Sequence, residues 1–334
     1  MKKIELVCPA GHLPSLKAAV DNGADAVYVG FSNASNARNF PGLNFTEREI
    51  REGIEYAHRR GAKVFLTINT FPQGDDMAEW YEAVDKGQEM GVDAQVIANI
   101  GVLDYARNKY PDMRIHLSVQ AGASTCEAIS FYKKHFGIER LILPRVLTID
   151  EVRAVKEKTD VEVEVFALGL LCINYEGECY LSSYLTGEST NTCGACSPAE
   201  YVNFDEGPDK LRVTSNGVLI NEYDPGEVAS YPIACKGRYV TGDAALLDYP
   251  MEDLSSLNVL DLIPQLADAG IDALKIEGRQ RTRAYVGTVA RVFREAIDVY
   301  HSNPQGYQVK KQWREDLTAL FEGTKQTYSC YVEK

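Results

Sequence analysis

The chain has no apolar run near the roughly 18–20 residues that a membrane span needs. No Gly-x-Gly-x-x-Gly follows its first strand-like segment, so the main fingerprint of dinucleotide-binding sheets is missing. His-Glu-x-x-His and Gly-x-Ser-x-Gly are absent too, and no nucleophile–base arrangement supports peptidase chemistry. The five histidines, His12, His58, His116, His135 and His301, are scattered without metal-ligand spacing; His12 alone falls where it could reach a barrel mouth. Positive charge is scarce: 35 Lys and Arg against 48 Asp and Glu give a net charge of −13. That balance disfavours sequence-blind binding to nucleic acid, which needs basic patches, but leaves room for a local anion pocket. The apolar stretch Ile4–Cys8 is too short for a signal peptide, so the expectation is a cytoplasmic protein.

What the chain does have is a repeated unit: an amphipathic helix, a glycine, then a short β-rich run. Gly23 precedes Ala26–Gly30, Gly61 precedes Val64–Ile68, and Gly91 precedes Ala94–Ala98. Gly137 before Leu141–Leu143 and Gly270 before Ala273–Ile276 complete the set. A glycine just past a helix end adopts the left-handed cap without a Cβ clash, so five such units imply helices alternating with parallel strands. Thr46…Glu49, Ser124…Glu127 and Thr148…Glu151 fit the capping-box spacing at helix starts. Further strands are expected at Ile4–Cys8, Arg114–Gln120 and Val161–Leu168, for about eight in all. Polar residues cluster at strand ends: Asn69, Asn99, Gln120, Arg145, Glu277 and Arg279. In a (β/α)8 TIM-like barrel these positions line the mouth where chemistry occurs. The expected division is 1–168 and 255–300 as barrel, 169–254 as a cysteine-rich insertion at the C-terminal mouth, and 301–334 as a tail.

The insertion breaks the helical rhythm and carries five of the eight cysteines, in a stretch rich in Gly, Ser, Thr and Asn. So long a segment without periodicity is unusual inside a compact domain unless it is functional. Four thiolates are the usual ligand set for iron–sulfur clusters and for structural zinc. Only Cys193-Gly-Ala-Cys196 has the tight knuckle spacing of zinc or of a redox dithiol. Spacing alone leaves cluster, zinc and redox use open.

The run Glu164-Val-Phe-Ala-Leu-Gly169-Leu-Leu-Cys172-Ile-Asn-Tyr-Glu-Gly177-Glu-Cys179-Tyr-Leu-Ser182 resembles the signature of the collagenase-like peptidase family. Ser183–Glu188, Gly194-Ala-Cys196, Cys235-Lys-Gly-Arg238, Lys275-Ile-Glu-Gly-Arg279, Cys8-Pro-Ala-Gly11 and Asn69-Thr70 continue the likeness. Asn36–Phe45 and Ser118-Val-Gln120 are similar to its UbiU branch, which serves oxygen-independent ubiquinone biosynthesis. The resemblance implies a [4Fe–4S] cluster on Cys172, Cys179, Cys196 and Cys235, with Cys193 outside the pattern. Leu168 stands where RNA-modifying relatives have histidine, and Leu170 where a small residue is expected.

That likeness further implies an O2-independent hydroxylase subunit acting on the aromatic ring of ubiquinone precursors. It would work beside a UbiV-like cluster protein as a heterodimer, with prephenate as hydroxyl donor. The alternatives are an RNA base hydroxylase for tRNA or rRNA, against which the acidic charge counts, and a non-catalytic cluster scaffold. Prephenate carries two carboxylates, which arginine forks suit best. Arg145 and Arg279, each at a strand end, are the leading candidates, followed by Arg38 and Arg238, with Asn69 and Gln120 orienting polar groups. Arg281, Lys236 and Lys275 stand behind these, and no catalytic residue is assigned.

Overall fold

The structure is a computed structural model that describes residues 3–241, 246–321 and 325–332. Seven strands alternate with six helices through the first half of the chain: β1 (Glu5–Pro9), α1 (Leu13–Asp21), β2 (Ala26–Val29), α2 (Glu47–His58), β3 (Lys63–Ile68), α3 (Ala78–Met90), β4 (Ala94–Ile97), α4 (Ile100–Lys109), β5 (Ile115–Leu117), α5 (Cys126–Phe136), β6 (Arg140–Ile142), α6 (Ile149–Lys158) and β7 (Glu162–Leu170). A long insertion then holds α7 (Tyr180–Thr186), α8 (Thr190–Cys193), β8 (Val202–Glu206), β9 (Leu211–Ser215), β10 (Val218–Tyr223), β11 (Tyr239–Thr241) and β12 (Leu246–Asp248). The chain ends with β13 (Ser255–Asn258), α9 (Ile263–Asp268), β14 (Ala273–Ile276), α10 (Arg283–Ser302), α11 (Lys311–Thr318) and β15 (Lys325–Thr327).

Strands β1 to β7 pair in parallel, each with the next, and β14 pairs in parallel with both β1 and β7. Eight parallel strands therefore close into the expected (β/α)8 barrel. All five cap glycines have positive φ, from 59° at Gly137 to 91° at Gly23, which turns the chain from each helix into the next strand. The capping boxes of Thr46/Glu49 and Thr148/Glu151 are both formed. The third is displaced by one residue: Thr125 caps α5 by accepting from Ala128 N–H, while the Ser124 hydroxyl lies 3.0 Å from the Tyr175 hydroxyl. Strand β5 is shorter than Arg114–Gln120. Ser118 accepts from the Gln120 amide and closes a 3-10 turn over Val119–Ala121, which swings Gln120 toward the mouth.

The insertion joins the seventh barrel strand to β13, and its β8–β10 meander and β11–β12 pair are antiparallel. Strand β13 lies antiparallel against the C-terminal extension of β7, and β15 pairs with β13 in parallel. The last described residues dock on the barrel. Trp313 is buried with its indole N–H on Glu295, and the Tyr331 hydroxyl donates to Phe166 O from a buried position. No described helix is long and apolar enough to cross a membrane.

Candidate metal centre and barrel-mouth site

The mouth cavity takes its wall from around the barrel. Tyr28, Thr67, Val96, Ile142, Phe166 and Lys275 contribute one side chain each from six strands, with Ser118 following a seventh. Asn69, Gln120, Arg145, Glu277, Arg279 and Arg38 line the same space. Asn69 is partly committed, accepting from the Ala37 amide at 3.1 Å. Gln120 is buried, and its Oε1 is without a partner among the described residues.

Arg145 is 5% exposed, with Nε 3.1 Å from Glu176, Nη1 2.8 Å from Glu277 and its guanidinium 4.0 Å above the Phe166 ring. The Glu176 contact is close enough for an ion pair but off the N–H line, so both Glu176 oxygens stay without an aligned donor. Burial pushes the Glu176 carboxyl up despite Arg145. Burial also opposes ionisation of Glu277, but Arg145 and Arg38 together outweigh it and hold that carboxyl below its usual range. Glu277 is enclosed by protein yet reachable by solvent, because it faces the cavities.

Arg279 differs. It is 6% exposed, and its guanidinium donates to Asn36 Oδ1 at 2.5 Å, to Thr67 Oγ1 at 3.2 Å and to Asn44. Among the described residues no carboxylate pairs with it, and its Nε has no acceptor. Burial without a counter-charge lowers its pKa to about 10, still cationic at neutral pH. Gly11 makes this fit possible, since a Cβ there would lie 2.0 Å from the Arg279 carbonyl oxygen.

Cys172, Cys179, Cys196 and Cys235 all line a second cavity of about 130 Å³, beneath the insertion. Cys172 follows the end of β7, Cys179 caps α7, Cys196 sits in the turn after α8, and Cys235 lies in a 3-10 turn before β11. The Cys179 sulfur accepts from Ser182 N–H at 3.4 Å and stands 3.6 Å from Asn174 Nδ2. Donors of this kind stabilise a thiolate and tune a metal bound to it. Burial, then the nearby Glu176, raises the Cys172 thiol to about 11; burial, then Cys196, raises Cys235 to about 12. Burial also raises Cys196, against the pull of Arg38. Cys196 is closely surrounded yet exposed, because it faces the cavity.

Such thiols ionise only for a strong cation, and metal binding inverts their titration. The donor set, four sulfurs around one cavity, fits the cluster. Among the described residues no three His, Cys, Asp or Glu side chains already converge as a ready site for one ion. Cys193 stands apart: it does not line the cavity, and its thiol donates to Ala195 O at 3.2 Å.

The two cavities share a wall of Arg38, Gln120, Arg145, Glu176 and Glu277. Of the residues expected at the site, Arg238 is not brought in. It lines none of the cavities described and instead braces the insertion, pairing with Glu227 at 2.9 Å and stacking over Tyr223. His12 turns away from the mouth to cap α1. Lys236 lines the cysteine cavity but gives its ammonium to Asp253 O. Lys275 is held by Glu164 at 2.7 Å. Glu176, Asn36, Asn44 and Tyr28 were not among the expected site residues. Glu176 sits within the Cys172–Cys179 run, and Asn36 and Asn44 within the Asn36–Phe45 run, which were the available hints.

A family model described as Peptidase family U32 matches residues 11–334. The tRNA hydroxylation protein P1 of Bacillus subtilis is 34% identical, over 97% of this chain and 72% of its own length. The tRNA hydroxylation protein P of Escherichia coli is 31% identical, over 89% of this chain and 68% of its own. A 23S rRNA 5-hydroxycytidine synthase of Escherichia coli is 30% identical over 89% of this chain, which spans 39% of that relative. With a match across nearly its whole length, the chain belongs to the collagenase-like family, Peptidase family U32.

Proposed function

We propose that the chain is a U32 hydroxylase that holds a [4Fe–4S] cluster on Cys172, Cys179, Cys196 and Cys235 and modifies a ring bound in the adjoining barrel mouth. The observation that carries this reading is the shared wall: one set of polar side chains faces both the four cysteines and the mouth cavity. A bound cluster would supply one-electron transfer or an iron Lewis acid at that wall. The protein's own residues do the rest. Arg279, buried without a counter-ion, takes an anionic group of the ligand. Gln120 Oε1 and the Glu176 oxygens offer acceptors to N–H or O–H groups. A reaction independent of O2 takes its oxygen from a pre-oxidised donor or from water, and a dicarboxylate donor such as prephenate suits the arginines.

The relatives' names favour an RNA base, in tRNA or rRNA, as the ring that is hydroxylated. A second reading, a ubiquinone precursor modified together with a UbiV-like partner, is favoured by charge around the mouth. Residues 169–254 carry fourteen Asp and Glu against four Lys and Arg, which would repel a phosphate backbone. A deletion strain grown without O2 separates them by mass spectrometry of its nucleosides and quinones. Loss of a hydroxylated nucleoside supports the first reading and loss of ubiquinone the second. Unchanged profiles of both would overturn the hydroxylase assignment.

A further inference from the structure

We propose that Arg38 is a positioning residue that sets the electric field on the cysteine chamber from the barrel side and so raises the cluster's reduction potential. The inference rests on the cluster reading of the four cysteines. Arg38 has φ of +117°, a conformation that side chains larger than glycine's rarely adopt and that persists only where surroundings enforce it. The enforcement is visible. Asn44 Nδ2 donates to the Arg38 carbonyl at 2.7 Å, and Asn69 Oδ1 accepts from the preceding amide. Gly194 presses on the same loop so closely that a Cβ there would lie 2.6 Å from Ala37 Cα.

Held this way, the guanidinium donates through Nη1 to the Gly194 carbonyl at 2.5 Å, two residues before Cys196, and it lines the cysteine cavity. Its only ion pair among the described residues is long: Nη2 is 3.7 Å from Glu277, whose carboxylate is engaged by Arg145 at 2.8 Å. Arg145 meets two carboxylates, whereas the charge of Arg38 is poorly compensated on the chamber side. A net positive charge beside a cluster stabilises its reduced, more negative state.

The alternative is a latch that ties the loop to Gly194 by a hydrogen bond alone. Arg38→Gln keeps a donor for that bond and removes the charge; Arg38→Lys keeps the charge without the fork. The experiment is a redox titration of anaerobic protein followed by electron paramagnetic resonance, with iron and labile sulfide counted for each variant. R38Q with its iron intact should show an oxidised-to-reduced ratio about tenfold higher at the wild-type midpoint, a one-electron shift of about 59 mV downward. R38K should stay near wild type, as should R212Q, which removes an exposed charge on β9.

R38Q titrating like wild type with a full cluster would reduce Arg38 to a latch and overturn the proposal alone. If R38Q cannot hold iron, R38K decides. A wild-type midpoint with iron retained supports the field, and a tenfold change overturns it. Wild-type protein without labile sulfide overturns both this inference and the cluster reading.

Discussion

Two arginines buried in the same barrel, Arg140 and Arg279, have opposite surroundings. Arg140, at the N-terminal end, is 2% exposed and meets Glu5 at 2.5 Å, Glu162 at 2.6 Å and Glu164 at 3.2 Å. Carboxylates outweigh burial there and raise its pKa. Arg114 and Lys63 join the same acids, and Lys275 extends the network through Glu164. Arg279, at the other end, is almost as buried and among the described residues meets only neutral oxygens. The bottom of a TIM-like barrel serves stability and the top serves chemistry. Here the difference is written in pairing: the lower charge is matched by carboxylates, and the upper one has no carboxylate partner among the described residues.

The largest effect should come from breaking the closed end. Arg140→Met leaves three carboxylates without their shared cation, one of them, Glu164, 1% exposed. Removing one partner of a buried ionic group typically costs about 3–5 kcal/mol. Urea unfolding should show the free energy of unfolding lowered by that amount and the midpoint shifted down in proportion, and an unchanged midpoint would refute the closed-network account.

Arg279→Ala should do the reverse: a smaller loss of stability and a clear loss of binding. Charge-assisted bonds are worth roughly 1.5–3 kcal/mol, so prephenate affinity should fall about ten- to a hundred-fold by calorimetry. Arg279→Lys should recover part of it, because the planar fork is missing. Wild-type affinity in the Ala variant would make Arg279 structural.

The smallest effect is in pH. Burial, then Arg140 and Arg114, holds the His116 imidazole well below 6.5, so the folded protein refuses a proton that the unfolded chain takes up. Stability should therefore fall as pH drops below about 6.5. Burial resists ionisation of Glu5 and Glu162, yet Arg140, with Lys63 at Glu5 and Arg114 at Glu162, outweighs it and depresses both carboxyls. Their contribution is full above about 4.5 and is lost as pH falls through their folded values. His116→Gln should flatten the upper window and leave the lower one. Equal slopes between pH 6.5 and 5 in both proteins would contradict this.

The barrel was legible because its signals are local. A glycine at Gly91 or Gly137 needs only its own φ to end a helix, and a Thr-x-x-Glu box closes within one turn. The motif groups four cysteines in sequence, while the cavity that all four line depends on how α7, α8 and the turn at Ala234–Lys236 fold over β7. Long-range pairing was not legible. Nothing adjacent to Arg238 in sequence reveals that Glu227 and Tyr223 claim it, and nothing near Arg145 reveals Glu277, 132 positions away. Ser124…Glu127 has the box spacing, yet the Ser124 hydroxyl lies against Tyr175 and Thr125 caps the helix instead.

The central claim is that four cysteines, and not the fifth, build a cluster against the barrel mouth. Iron and acid-labile sulfide should be counted in anaerobic wild type and in Cys172→Ala, Cys179→Ala, Cys196→Ala, Cys235→Ala and Cys193→Ala proteins. The account predicts about four of each per chain in wild type and in Cys193→Ala, with most of both lost in the other four. Stoichiometric zinc without sulfide, or a Cys193→Ala protein as empty as Cys196→Ala, would contradict it.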